Sequence, residues 1–254
     1  MSWLSAYLSL GPGVTPGVFA VFCVVSFIGS LSTAMLGLGG GVLMLAVLAQ
    51  VFPPTVVVPL HGAIQLGSNI GRAVIMLRHV LWWIVPAFAA GSILGAFAGA
   101  NVVLSLPLWL LQLVLALFLL YMVWGPHLRA SRPTVTKFFL VGGLGTFAAM
   151  FVGTTGPLIA PFVAAASPER QRVVATQGAL MTFQHGLKIV AFGFAGFAFA
   201  PYAALLVATL VFGFAGTFLG SRLLLRLPEV KFRLGFRIVM TLLALRLAWS
   251  AVAG

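Results

Sequence analysis

Carboxylates are nearly missing from this chain: it has no aspartate, and its only glutamates are Glu169 and Glu229. That excludes a buried cation site built on acidic oxygens, and it leaves no acid pair for hydrolytic chemistry. The single cysteine, Cys23, lies in an apolar run and has no mate, so no disulfide framework exists. No His-x-x-His, cysteine or carboxylate spacing offers a metal site. Charge of either sign is scarce, at 6% of 254 residues, against roughly 25% in soluble domains. The first basic residue is Arg72, so no cleaved leader is expected and the first helix is expected to insert as a permanent span.

What is present is apolar. Hydrophobic residues make up 62% of the chain and the mean hydropathy is +1.18. Apolar runs of roughly 17 to 25 residues, long enough to cross about 30 Å of hydrocarbon, recur along it. They do not alternate, which excludes a membrane barrel. The expected fold is an all-α polytopic membrane protein. The net charge of +12 falls in short clusters between apolar runs, which reads as membrane topology rather than nucleic-acid binding.

Segments are predicted at about 17–36, 41–52, 55–78, 81–101 and 106–125, then again at about 137–152, 156–166, 170–195, 201–222 and 229–251. This predicts two five-segment repeats, 1–125 and 137–254, joined by a cytoplasmic linker at 126–136. A shift of 116 carries Gly29, Gly37, Gly40 and Gly62 onto Gly145, Gly153, Gly156 and Gly178. Further on, a shift of 121 carries the Gly95-xxx-Gly99 ridge onto Gly216-xxx-Gly220 and Leu106-Pro107 onto Leu227-Pro228. Such ridges predict close helix packing in both halves. Five segments is an odd number, so the halves are expected to be inverted if every segment crosses. With the N-terminus outside, Arg78, Arg129, Arg132, Lys137, Arg170, Arg172, Arg222, Arg226, Lys231 and Arg233 all fall inside. The loops near 53, 103 and 198 carry no charge, which is the positive-inside pattern and predicts both termini outside. Inverted repeats are common in secondary transporters, whose sites lie near the midplane. Trp82, Trp83, Trp109 and Trp124 fall near predicted span ends, as an interfacial belt would.

Candidate chemistry concentrates in one stripe. His61, Gln65, Ser68, Asn69 and Arg72 share a helical face, and the 116-residue shift gives Gln177, Met181, Gln184, His185 and Lys188. With no carboxylate in either span, a visiting anion is the natural counter-charge for Arg72 and Lys188; the other reading has them snorkel to the headgroups. Gln65, Asn69, Gln177 and Gln184 either bind the ligand or tie helices together. His61 and His185 either move a proton near neutral pH or serve as hydrogen-bonded packing residues. Arg246 reads as an interfacial anchor.

The second segment of each half is short: about 12 residues rise only about 18 Å. Glycine-rich junctions precede them, Gly37-Leu-Gly-Gly-Gly41 and Gly153-Thr-Thr-Gly-Pro157. Gly39, Gly40, Gly41, Thr154, Thr155 and Gly156 are therefore candidates to present donors to an oxyanion at two opposed helix N-termini. Alternatively, the glycines let each hairpin pack tightly with no ligand.

The chain carries a GLGGG junction, an apolar half-helix after it, a Pro-Pro segment and a polar helix with His-Gly, and the junction, half-helix and polar helix have counterparts in the second half. That organisation resembles the TauE/SafE family of sulfite-exporter-like permeases over nearly its whole length, with the second junction departing from the pattern as GTTGP. The resemblance implies a bacterial inner-membrane transporter, not an enzyme, for small sulfur-containing anions such as sulfite, sulfoacetate or related organosulfonates, working without a cofactor. Export by alternating access is the expectation. A proton-coupled importer, a channel and a membrane scaffold are the rivals. The expected partners are the lipid bilayer, the small anion and, optionally, a second copy of the chain.

Overall fold

The computed structural model describes residues 10–36, 39–103, 105–126, 133–223 and 230–253. Gly37, Leu38, Arg129, Arg132, Arg226, Leu227, Pro228 and Glu229 lie outside the described residues, as do the side chains of Lys231 and Arg233. The described residues form α1 (Pro16–Leu36), α2 (Gly40–Leu48), α3 (Pro54–Ile75), α4 (Val85–Val103), α5 (Leu108–Trp124), α6 (Val135–Val152), α7 (Gly156–Ala166), α8 (Arg170–Phe194), α9 (Ala203–Leu223) and α10 (Val230–Ala253). Single 3₁₀ turns stand at Leu77–His79 and Ala200–Tyr202, and no strand occurs among the described residues.

Local chemistry sets the helix ends. Pro53 is extended (φ −68°, ψ 156°) and Pro54 opens α3, where a missing N–H costs nothing. Pro107 caps α5 in the same extended form. The Thr134 hydroxyl accepts the Lys137 N–H at 3.2 Å to cap α6. Gly39 (φ 100°) and Gly153 (φ 79°) turn the chain into α2 and α7, a backbone region closed to most side chains. Each predicted segment overlaps a helix, and 156–166 matches α7 at both ends. The largest shifts fall at the end of α2, which stops at Leu48 instead of 52, and at the start of α4, which waits until Val85 instead of 81.

Among the described residues four helices are long and apolar enough to cross a membrane by length and composition: Pro16–Met35, Val85–Val103, Val135–Val152 and Ala200–Leu223. They associate as two pairs, α4 with α6 and α1 with α9. Backbone meets backbone in both. A Cβ on Gly91 would lie 1.9 Å from the Phe139 carbonyl oxygen and one on Gly95 2.0 Å from that of Gly143. On α9, Gly216 and Gly220 stand in the same way against Phe27 and Leu31. Successive glycines meet successive residues of the partner in the same order, so the two helices of each pair run parallel. Without a hydrophobic drive between helices in lipid, this close approach is a main source of association. Phe97, Leu144 and Val207 are more than half exposed on these helices, as lipid-facing residues are.

The two polar helices, α3 and α8, pack on each other at the centre, and α5 packs on α10. Gly62 faces Lys188 and Gly178 faces Arg72, so α3 and α8 run antiparallel. The basic turns gather at one end. There the Leu81 N–H donates to Thr176 Oγ1 at 2.9 Å, the Arg170 guanidinium donates to the Met35 carbonyl, and Trp83 meets Phe138 edge to face at 5.6 Å. Rings close the opposite end: Phe22 stacks on Phe52, and Phe52 meets Tyr202 edge to face. Trp82, Trp83, Trp109 and Trp124 are exposed at helix ends, and Arg246 is exposed on α10.

Candidate functional site

Antiparallel packing turns the stripes of α3 and α8 toward each other and toward the starts of α2 and α7. Both stripe helices reach back to a half-helix in the same manner. His61 Nε2 donates to the Gly41 carbonyl at 2.8 Å, and 116 residues later Gln177 Nε2 donates to the Gly156 carbonyl at 2.7 Å. The glycines leave room for the stripe: a Cβ on Gly41 would come within 2.4 Å of Gln65 Nε2, and one on Gly156 within 3.4 Å of Gln177 Nε2.

Between the two junctions lies a cavity of about 40 Å³ lined by Thr33, Gly39, Gly41, Val42, Gln65, Asn69, Arg72, Thr154, Gly156, Pro157, Gln177, Met181 and His185. One water needs roughly 10–15 Å³, so the space suits a small polyatomic solute or a few waters. Arg72 is 3% exposed and Lys188 is fully buried; neither snorkels to the headgroups. The Arg72 guanidinium donates to Asn69 Oδ1, Asn69 Nδ2 donates to the Gln65 carbonyl at 2.7 Å, and Arg72 Nε has no partner. Glu169, the one acidic side chain among the described residues, pairs with Arg172 at 3.0 Å and is well exposed, so no described carboxylate answers either buried cation. No group of three His, Cys, Asp or Glu side chains able to hold a metal occurs among the described residues.

Nine of the sequence candidates line this cavity: Gly39, Gly41, Gln65, Asn69, Arg72, Thr154, Gly156, Gln177 and His185. Five stand behind its wall, each for a visible reason. Gly40 is pressed against Gly29, whose carbonyl oxygen lies 1.8 Å from where its Cβ would be, so this glycine serves the α1–α2 hairpin. Its N–H, expected to be free for an anion, is taken by the Thr33 hydroxyl at 2.9 Å. Thr155 Oγ1 donates to the Gly145 carbonyl at 2.9 Å. Gln184 is held by Thr155 and Thr146. His61 is turned to Gly41, and its ring meets that of His185 edge to face at 5.5 Å. The Lys188 ammonium donates to the Gly153 carbonyl.

Thr33, Val42, Pro157 and Met181 line the cavity without having been sequence candidates. Met181 stands 116 residues after Gln65, so the repeat marked its place if not its chemistry. Thr33 left no such signal, since its counterpart 116 residues on is Ala149. A second, apolar cavity of about 270 Å³ is lined by residues that include Val58, Val103, Met150, Phe151, Phe192 and Phe197.

Paired lipid-facing helices around a buried polar pair, with an unpaired cation beside a central cavity, define a multi-pass membrane transport protein. The chain matches the family described as Sulfite exporter TauE/SafE over residues 21–247, nearly its full length, and it belongs to that family of transport permeases. No curated protein and no solved structure matches it.

Proposed function

We propose that this protein exports a small sulfur-containing anion, sulfite or an organosulfonate, across the bacterial inner membrane by alternating access. The observation that carries the reading is Arg72: a guanidinium 3% exposed, on the wall of a polar cavity, with Nε unpartnered. A membrane-buried cation is costly unless something compensates it, and a transported anion compensates it each cycle. The cavity's size favours sulfite over the longer sulfoacetate unless the walls part.

In this reading residues 1–125 and 137–254 are two inverted halves joined by a cytoplasmic linker. Support comes from the antiparallel α3 and α8 and from the exchange of partners, α1 with α9 and α4 with α6. The basic end faces the cytoplasm and both termini face the periplasm. Rocking of the halves about the cavity opens it alternately to each side. The interior of the cell is negative, and each elementary charge moved gains about 2.3 kcal/mol per 100 mV. An anion therefore leaves downhill, and an exporter has no need of the carboxylates used to couple sodium or protons.

Proteoliposomes loaded with labelled sulfite test this. Flux should saturate, rise with an outward-driving potential and collapse in Arg72→Ala; wild-type flux in that variant removes the anion-site assignment. The His61–His185 contact favours one second reading, a proton-coupled importer. That reading requires uptake to follow an imposed pH gradient at zero membrane potential.

A further inference from the structure

The cavity asks for more than negative charge. Gln177 is 4% exposed and lines the cavity. Its Nε2 donates to the Gly156 carbonyl at 2.7 Å, which fixes the amide: turned over, its oxygen would face another oxygen. The end left over is Oε1, a buried acceptor with no partner. Buried acceptors in native proteins are nearly always satisfied, and an unmet one carries a large desolvation penalty.

The other polar groups on the wall do not meet it. Asn69 spends its amide on the Gln65 carbonyl and its oxygen on Arg72. The Thr33 hydroxyl donates to the Gly29 carbonyl, and two further nitrogens on that wall, Arg72 Nε and His185 Nδ1, are likewise unmet. A ligand with one oxyanion edge and one O–H or N–H group satisfies Arg72 and Gln177 together: it accepts from the first and donates to the second. A bare dianion brings only lone pairs, sets them against Oε1, and finds one guanidinium on the wall, since Lys188 is held behind it by Gly153.

We infer that the ligand is a monoanion that also carries a hydrogen-bond donor, as hydrogensulfite does and the sulfite dianion does not, with Gln177 as the residue that selects it. This rests on the transport reading above and narrows its substrate class.

Sulfamate and methanesulfonate separate the possibilities, because both are monovalent sulfonates of similar size and differ by an amino group in place of a methyl. Binding to the purified full chain is measured by calorimetry, with sulfite as reference. Sulfamate should bind at least tenfold more tightly than methanesulfonate, and Gln177→Met, similar in length with no acceptor, should shrink that preference to within about twofold. Equal affinities in the wild type, failure of sulfamate to bind where sulfite does, or an unchanged preference in the variant each overturn the inference while leaving anion transport standing. If the variant does not fold, the wild-type comparison decides alone. Failure of sulfite, sulfamate and methanesulfonate alike to bind overturns the transport reading and this inference with it.

Discussion

Gly62 makes room for Lys188: a Cβ on that glycine would stand 3.2 Å from the lysine Cε. The relation is reciprocal, because 116 residues further on Gly178 makes room for Arg72, whose Nε would lie 3.1 Å from a Cβ there. Each central helix thus carries one cation and one gap, and the gap receives the other helix's cation.

The two gaps differ in what surrounds them. Around Gly62 all the near atoms belong to the Lys188 side chain, whereas around Gly178 the Ala73 nitrogen and the Asn69 carbonyl oxygen also stand at 3.3 Å. A side chain can shift by tenths of an ångström more easily than helix backbone. Gly178→Ala is therefore expected to lower the unfolding temperature in detergent more than Gly62→Ala, with an overpacking cost on the order of 1–3 kcal/mol. Equal melting temperatures would contradict that ranking.

Lys188 has full burial and a backbone carbonyl as its hydrogen-bond acceptor. A charge held out of water without a counter-charge carries a desolvation cost that an apolar side chain of similar length does not. Lys188→Met should melt at or above the wild-type temperature while sulfite flux falls at least tenfold. A variant that is stable and fully active would show that the ammonium is dispensable for transport.

Thr33 performs two tasks with one hydroxyl, accepting from the Gly40 N–H and donating to the Gly29 carbonyl, both at 2.9 Å. Thr33→Val keeps the shape and strands both groups, each at a cost of about 1–3 kcal/mol. Thr33→Ser restores the hydroxyl and should recover most of the lost stability. If valine and serine melt alike, the bonds contribute nothing measurable.

Glycines on the helix ridges and glycines in open space make opposite predictions. Gly91→Ala drives a methyl into the Phe139 carbonyl, while a Cβ on Gly193 meets nothing within 4 Å. The first should destabilise by on the order of 2 kcal/mol or more. The second should stabilise α8 by up to about 1 kcal/mol, the ordinary helix preference for alanine. Thermal unfolding of the pair side by side checks both signs.

Segment positions were legible because apolar length and proline punctuation act locally: Pro53-Pro54 and Pro107 start helices wherever the rest of the chain goes. The face of each polar stripe was legible too, since period alone places His61, Gln65, Asn69 and Arg72 together. What covers that face was not. Snorkelling and burial of Arg72 look identical in one helix's sequence, and they separate only once α8 is seen lying antiparallel across α3. The small-residue ridges announced close contacts without naming partners, because Gly95 and Gly216 would suit any backbone brought near.

Repeat arithmetic found the cations and their gaps, yet it missed how the hinges are tied. The Gly29 and Gly145 carbonyls occupy equivalent places and each is met by a threonine hydroxyl, but by Thr33 from four residues away and by Thr155 from ten. The same physical need is filled from two unrelated positions, which no constant offset detects.

The crossed partnership of α1 with α9 also governs the order of assembly. During synthesis α1 enters the bilayer long before Gly213, Gly216 and Gly220 exist for Ser26, Phe27 and Leu31 to rest against. Ser30 of α1 already meets Ser68 of α3 at 2.9 Å, but the stretch that bears Ser26 and Phe27 waits for α9. The earliest of these helices therefore completes its packing only when one of the latest arrives.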